Sequence, residues 1–178
     1  MTGAPPPPPP PVTPVPDVGT ARESAESVRV RLEATMSRAS SFTEDALHLR
    51  VNDEWSTVES MRHLVLVVDL WLSRTILGEK DPFHPTALPP TFMPPKLFPD
   101  SSIDPDVRPS FDEACEVLRG RIAGLGRYVD ELTADELARP IEAHAHTVGG
   151  ALSVIFSELT AHDRFINRDL DQVRIPGA

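Results

Sequence analysis

Six histidines, His48, His63, His84, His144, His146 and His162, are spread along the 178-residue chain. Two of them, His63 and His162, fall in stretches whose apolar spacing predicts buried helices. Glu158 stands four residues before His162, so on a helix the two share one face about 6 Å apart and can grip one ion. His63, arriving from a separate helix, completes a set of two imidazoles and one carboxylate. Such a set leaves coordination positions open for water or substrate and suits zinc, ferrous iron, nickel or manganese. A second reading of the same residues stays open: a lone buried histidine is often a hydrogen-bonded member of the core, and a Glu–His pair at this spacing arises by chance.

The other reactive side chains carry weaker signals. His144 and His146 flank Ala145 as an H-x-H pair with no third ligand nearby. His84, between Phe83 and Pro85, either closes over the site from a loop or packs within that loop. Cys115 shares a helical face with Leu118, Ile122 and Leu125, which makes it a small buried hydrophobe rather than a nucleophile. Trp55 and Trp71 read as packing anchors, Trp55 near enough to the start of a helix to line a pocket mouth.

The elements that must position these residues are legible from their starts. Thr20-Ala-Arg-Glu23, Ser56-Thr-Val-Glu59, Ser110-Phe-Asp-Glu113 and Thr133-Ala-Asp-Glu136 fit the capping box, in which a hydroxyl and a glutamate satisfy each other's backbone N–H groups. Behind the first, Ala25, Val28, Leu32, Met36 and Ala39 predict a helix over about 20–40. Behind the second, the run from Val58 to Leu77 is apolar nearly all round and stops at Gly78, which predicts the most buried helix. Behind the third, Ala114, Leu118, Ile122, Leu125, Val129 and Leu132 predict another. The fourth box opens only a short turn before Pro140. A last helix is predicted from near Thr147 to about Gln172, with Val148, Leu152, Ile155, Leu159, His162, Phe165 or Ile166, and Leu170 along its inward stripe. Gly149 and Gly150 weaken its first turn by about 1 kcal/mol each relative to alanine, and would let another helix approach closely.

Of the 20 prolines, all but Pro140 and Pro176 lie within 1–16 or 82–109. The four long helices are therefore nearly proline-free, and the expected fold is all-α, an antiparallel four-helix bundle with a long proline-rich crossover between helices two and three. Residues 1–18 are expected to be a disordered, polyproline-like tail that offers itself to an aromatic-lined groove, ahead of one domain over 19–175.

A net charge of −10 leaves no basic face for phosphates and argues against nucleic-acid binding. The most apolar run, Leu64 to Leu72, contains Asp69 and is far short of the roughly 20 residues of a membrane helix. The N-terminus lacks the charged start and apolar stretch of a signal peptide, and one cysteine suits a reducing cytoplasm. A small-molecule substrate is the expected partner. The apolar helix faces leave a homodimer open.

Taken in order, Trp55-Ser56-x-x-Glu59-x-x-x-His63 and Glu158-x-x-x-His162-x-Arg164-Phe165-x-x-Arg168-Asp169-Leu170 resemble the DinB-like superfamily, as do Pro82-Phe83-His84-Pro85 and Arg108-Pro109-Ser110-Phe111-Asp112-Glu113. The resemblance covers roughly 25–173. It implies a four-helix bundle holding a divalent metal at one end through a helix-two histidine and an H-x-x-x-H pair on the last helix. His63 and His162 match the first and third of these ligands, while Glu158 departs from the commonest pattern, hardening the site and leaving the choice of zinc or iron open. Relatives include transferases, and isomerases acting on maleylpyruvate, that use a low-molecular-weight thiol such as mycothiol or bacillithiol, activated by the metal. By that likeness Trp55, Arg164 and Arg168 are candidate substrate-binding residues, the two arginines holding an anionic group or the polar portion of the thiol. Inter-helix ion pairs are their other reading. A non-catalytic binding or stress-response module with a vestigial metal site is the alternative to an enzyme.

Overall fold

The computed structural model describes residues 13–90, 102–142 and 146–173, and all regular structure among them is helical apart from one isolated bridge between Pro140 and Thr147. In chain order the elements are α1 (Val18–Ala39), α2 (Glu44–Leu47), α3 (Thr57–Val68), which runs on into π-helical turns over Asp69–Ile76, α4 (Phe111–Asp130), α5 (Ala134–Ala138) and α6 (Val148–Leu170).

The capping chemistry sets most of these starts. Ser56 accepts from the Glu59 N–H while the Glu59 carboxylate accepts from the Ser56 N–H, and Ser110 and Glu113 do the same at α4. Thr133 accepts from the Glu136 N–H to open α5. At α1 the expected cap is three residues late. Asp17 is the cap, accepting from the Thr20 N–H at 2.7 Å and from its hydroxyl at 3.0 Å, so Thr20 lies inside the helix. The Asp17 carboxylate, a strong charged acceptor, satisfies the Thr20 N–H itself, so the helix is already open when Thr20 is reached. The one-turn α2, capped by Thr43, is too short for periodicity to reveal.

The second long helix spans the expected stretch, but its last turns are wider than α. The Leu77 N–H bonds to the Leu72 carbonyl, five residues back, and Gly78 ends the run at φ +74°.

Each of α4 and α6 packs on both α1 and α3, the π turns lie on α6, and α5 also lies against α6. Leu32 and Met36 of α1, Met61 and Leu64 of α3, Leu118 and Leu125 of α4, and Leu152, Ile155 and Leu159 of α6 are fully buried at the centre. On the α6 stripe Ile166 turns inward and Phe165 is 45% exposed, which settles that choice. Polar ties cross the same seams. Asp163 of α6 accepts from Thr35 at 2.6 Å and pairs with Arg31 at 2.9 Å, and Asp69 pairs with Arg121 of α4.

Residues 1–12 of the proline-rich tail and 91–101 of the expected crossover lie outside the described residues. Thr13–Pro16, which composition assigns to the tail, pack on α6: the Val15 N–H donates to the Gly149 carbonyl and the Ser153 hydroxyl to the Thr13 carbonyl.

Candidate metal centre

His63 sits in the second turn of α3, close behind the Ser56 cap, and Glu158 and His162 lie one turn apart on α6. Because α3 and α6 pack together, the three meet, with one donor atom from each within 4.8 Å of the others. His63 Nε2 is 3.8 Å and His162 Nε2 3.7 Å from Glu158 Oε2, too long for hydrogen bonds but close enough for small side-chain rotations to bring all three onto one ion.

The alternative of satisfied core histidines can now be tested. Among the described residues His63 has one hydrogen bond, from Nδ1 to the Leu88 carbonyl at 3.3 Å. That contact leaves Nε2 bare toward Glu158, the backbone-anchored arrangement usual for a ligating histidine. His162 Nδ1 is buried without a hydrogen-bond partner among the described residues. Burial, and next the neighbouring His63, push the His162 imidazole down to about 4, so at neutral pH it is an uncharged ring with a lone pair to give. Beside His63 the Glu158 carboxyl is held below its ordinary range, so it is ionised. Two imidazoles, that of His162 uncharged, and an ionised carboxylate, poorly satisfied by one another, match the donor set of a divalent cation site.

Trp55 closes one side, its ring 4.7 Å from that of His63 and stacked 6.0 Å from that of His162. The trio opens on a cavity of about 1100 Å³ whose walls include Trp55, Trp71, Leu66, Phe156 and the Thr13–Pro16 segment. His162 and Trp55 also border a smaller cavity of about 310 Å³ with Asp53, Glu54 and Phe165.

With this geometry in hand, the comparison with known families is decisive. A family model described as the DinB superfamily matches residues 26–166, most of the chain. The chain belongs to the DinB superfamily. It matches no curated protein and no solved structure. The matched stretch contains His63, Glu158 and His162, so the resemblance carried by their motifs holds for the DinB assignment itself.

The other candidates in this DinB chain are placed as follows. Arg164 is exposed and lines neither cavity. Arg168 lies over the Phe165 ring and pairs with Glu54 and Asp169, an ion-paired surface position. His84 lines neither cavity; its ring bonds to Thr86 and its N–H to Asp69. His146 lines the large cavity, edge-on to Trp71 at 5.6 Å, while His144 lies outside the described residues. Cys115 is buried, and burial pushes its thiol up to about 12, which rules it out as a nucleophile at neutral pH. No helix among the described residues is long and apolar enough to cross a membrane.

Two parts of the site carry no side-chain signature. One is the Leu88 carbonyl that orients His63. The other is what holds Leu88 there. The buried Arg62 donates from Nε to the Thr86 carbonyl at 2.7 Å and from Nη2 to those of Asp104 and Pro105, and its own carbonyl accepts from the Leu88 N–H. Arg62 thus anchors the segment that orients His63. In Arg62→Met, metal affinity measured against a competing chelator dye should fall about tenfold, the usual size of such an outer-shell loss. Arg119→Met, which breaks only the exposed pair with Glu33, should leave it unchanged.

Proposed function

We propose that this DinB-superfamily protein is an enzyme that holds a divalent metal through His63, Glu158 and His162 and acts on a small molecule bound in the adjoining cavity. The observation that carries the reading is the meeting of three donors, one of them a histidine whose buried Nδ1 has no hydrogen-bond partner among the described residues, at the wall of a large apolar cavity. Zinc, ferrous iron, nickel and manganese all suit the set.

When bound, such a cation lowers the pKa of a coordinated thiol or water enough to supply a nucleophile near neutral pH. The chain's own residues do the rest. The Leu88 carbonyl holds the proton of His63 on Nδ1 and so keeps Nε2 free. Glu158 lends negative charge at a position 43% open to solvent, on the side from which ligands enter. Trp55 packs over both imidazoles and keeps water from them. The likeness of its motifs to thiol-using DinB members supports a low-molecular-weight thiol of the mycothiol type as cosubstrate, in an S-transferase or isomerase reaction. The packing of α1, α3, α4 and α6 supports an antiparallel four-helix bundle with the 77–110 segment as its crossover, and the single buried cysteine supports a cytoplasmic setting.

The test is thiol transfer to an activated aryl chloride, in which a carbon–sulfur bond forms while chloride and a proton leave. Metal-loaded protein should accelerate it with a small thiol, and His63→Ala should not. Stoichiometrically loaded wild type that accelerates transfer from no thiol would overturn the transferase reading. It would favour a non-catalytic binding module, a reading supported by Glu158 being the sole carboxylate in the described lining of the large cavity.

A further inference from the structure

The most distinctive feature of the large cavity is that one of its walls is not helical. Thr13, Pro14, Val15 and Pro16 all line it, and this short strap is fixed to α6 at two points. The Val15 N–H donates to the Gly149 carbonyl at 3.1 Å, and the Ser153 hydroxyl donates to the Thr13 carbonyl at 2.7 Å. Val15 itself is only 9% exposed. Gly149 explains how the strap comes so near. A Cβ at this position would stand 3.1 Å from the Val15 carbonyl oxygen and 3.3 Å from that of Leu137, closer than side chains normally tolerate. A glycine in the first turn of a helix costs about 1 kcal/mol relative to alanine, and here the missing Cβ is the seat of the strap.

We propose that the Thr13–Pro16 strap is a built wall of the substrate cavity, seated through Gly149 and Ser153, and that the cavity it completes selects uncharged, apolar ligands. The choice of ligand class follows from the lining. Among the described residues the walls are dominated by Trp55, Trp71, Leu66 and Phe156 with scattered hydroxyls, and they include no lysine or arginine. Away from the trio, an anionic ligand would meet no lysine or arginine in the described lining, whereas an aromatic or aliphatic body would lie against apolar walls. The strap adds two proline rings and a valine to that surface while its Val15 N–H and Thr13 carbonyl bond to α6. This inference rests on the cavity being the substrate site, but its test does not require activity or metal.

Trp55 and Trp71 are the only two tryptophans of the sequence, and both line this cavity. Energy transfer from tryptophan to a neutral naphthylamine probe reports its binding to the protein, and weakened transfer in Val154→Phe, which narrows this cavity and not the smaller one, places the probe here. With metal-free, full-length protein, Gly149→Ala and Ser153→Ala should each weaken the probe by about five- to tenfold, the loss that follows when one seating contact goes. Hydrogen exchange at the Val15 amide should quicken in both variants, while circular dichroism shows unchanged helix content, since alanine favours the helix at either position. A naphthalenesulfonate of the same size should bind wild type at least about tenfold more weakly than the neutral probe. Equal probe affinity in wild type and both variants would overturn the strap as a wall, whatever Val15 exchange does. A sulfonate that binds as well as the neutral probe would overturn the ligand class. If instead the probe results hold and thiol transfer is never seen, the wall stands and the proposed reaction falls.

Discussion

Replacing Arg121 by methionine should lower the stability of the folded protein by about 3 kcal/mol at neutral pH, the cost of leaving a buried carboxylate without its counter-ion. Asp69 is fully buried where the π turns begin, and its carboxylate accepts from Arg121 Nε and from the His84 N–H at 2.9 Å. Methionine keeps the apolar stem of Arg121 and removes the charge, so the loss isolates the pair from the packing. The effect should depend on pH in a definite direction. Burial raises the Asp69 carboxyl above its ordinary value even against the opposing pull of Arg121 and the His84 N–H. A raised acid binds its proton more tightly in the folded than in the unfolded chain. Its contribution to stability is therefore full below the ordinary value and is lost as pH climbs through the raised one. Without Arg121 the carboxyl rises further, so the deficit of the variant should be small in mild acid and reach full size at neutral pH. Urea unfolding at the two conditions measures it. An equal deficit at both would mean that Arg121 acts through packing alone. Asp69→Asn combined with Arg121→Met should recover part of the loss, because the unpaired charge is gone.

The second large effect is stabilisation by metal. A cation that binds the folded chain and not the unfolded one adds about 2.7 kcal/mol at a free concentration 100 times its dissociation constant. For a chain of this length that is a rise in melting temperature of about 5–10 °C. The wild type should show such a rise with at least one of zinc, nickel, manganese or anaerobic ferrous iron. His162→Ala should show none. The variant also removes a buried ring with an unpaired Nδ1, so without metal its own melting temperature should change little. A melting temperature that ignores all four metals in the wild type would leave His63, Glu158 and His162 as a cluster without an ion.

The parts of this account that the sequence announced, and those it hid, divide along a physical line. Ser56 and Ser110 announced their helices because a capping box is a local exchange of two hydrogen bonds at fixed spacing. Thr20 misled because Asp17, three residues earlier, opens the helix first and takes the Thr20 N–H and hydroxyl onto its own carboxylate. The facing of His63 and His162 was legible because both lie in long apolar helices whose inward faces must meet, and Glu158 stands one turn before His162 at the edge of that stripe. The superfamily motif rests on the same spacing. The π turns were not legible, since Asp69–Ile76 continues the apolar run of α3 without a break in pattern. The Leu88 carbonyl and the seating of Val15 on Gly149 are backbone contacts, which side-chain patterns do not encode. Gly149 was visible as a cost to α6, and its reason became plain only when a neighbouring carbonyl was found where its Cβ would be. Arg164 and Arg168, placed near the site by motif, lie instead outside both cavities, with Arg168 paired to Glu54 and Asp169, because the turn carrying them rotates past the inward stripe at Ile166.

The proposed metal centre requires that His63, Glu158 and His162 together hold an ion. The most direct measurement is elemental analysis of untagged protein purified anaerobically, beside His63→Ala prepared in the same way. The expected result is a near-stoichiometric divalent metal in the wild type and its loss from a variant that keeps its helical spectrum. Metal absent from both, or retained undiminished when His63 is gone, would contradict it.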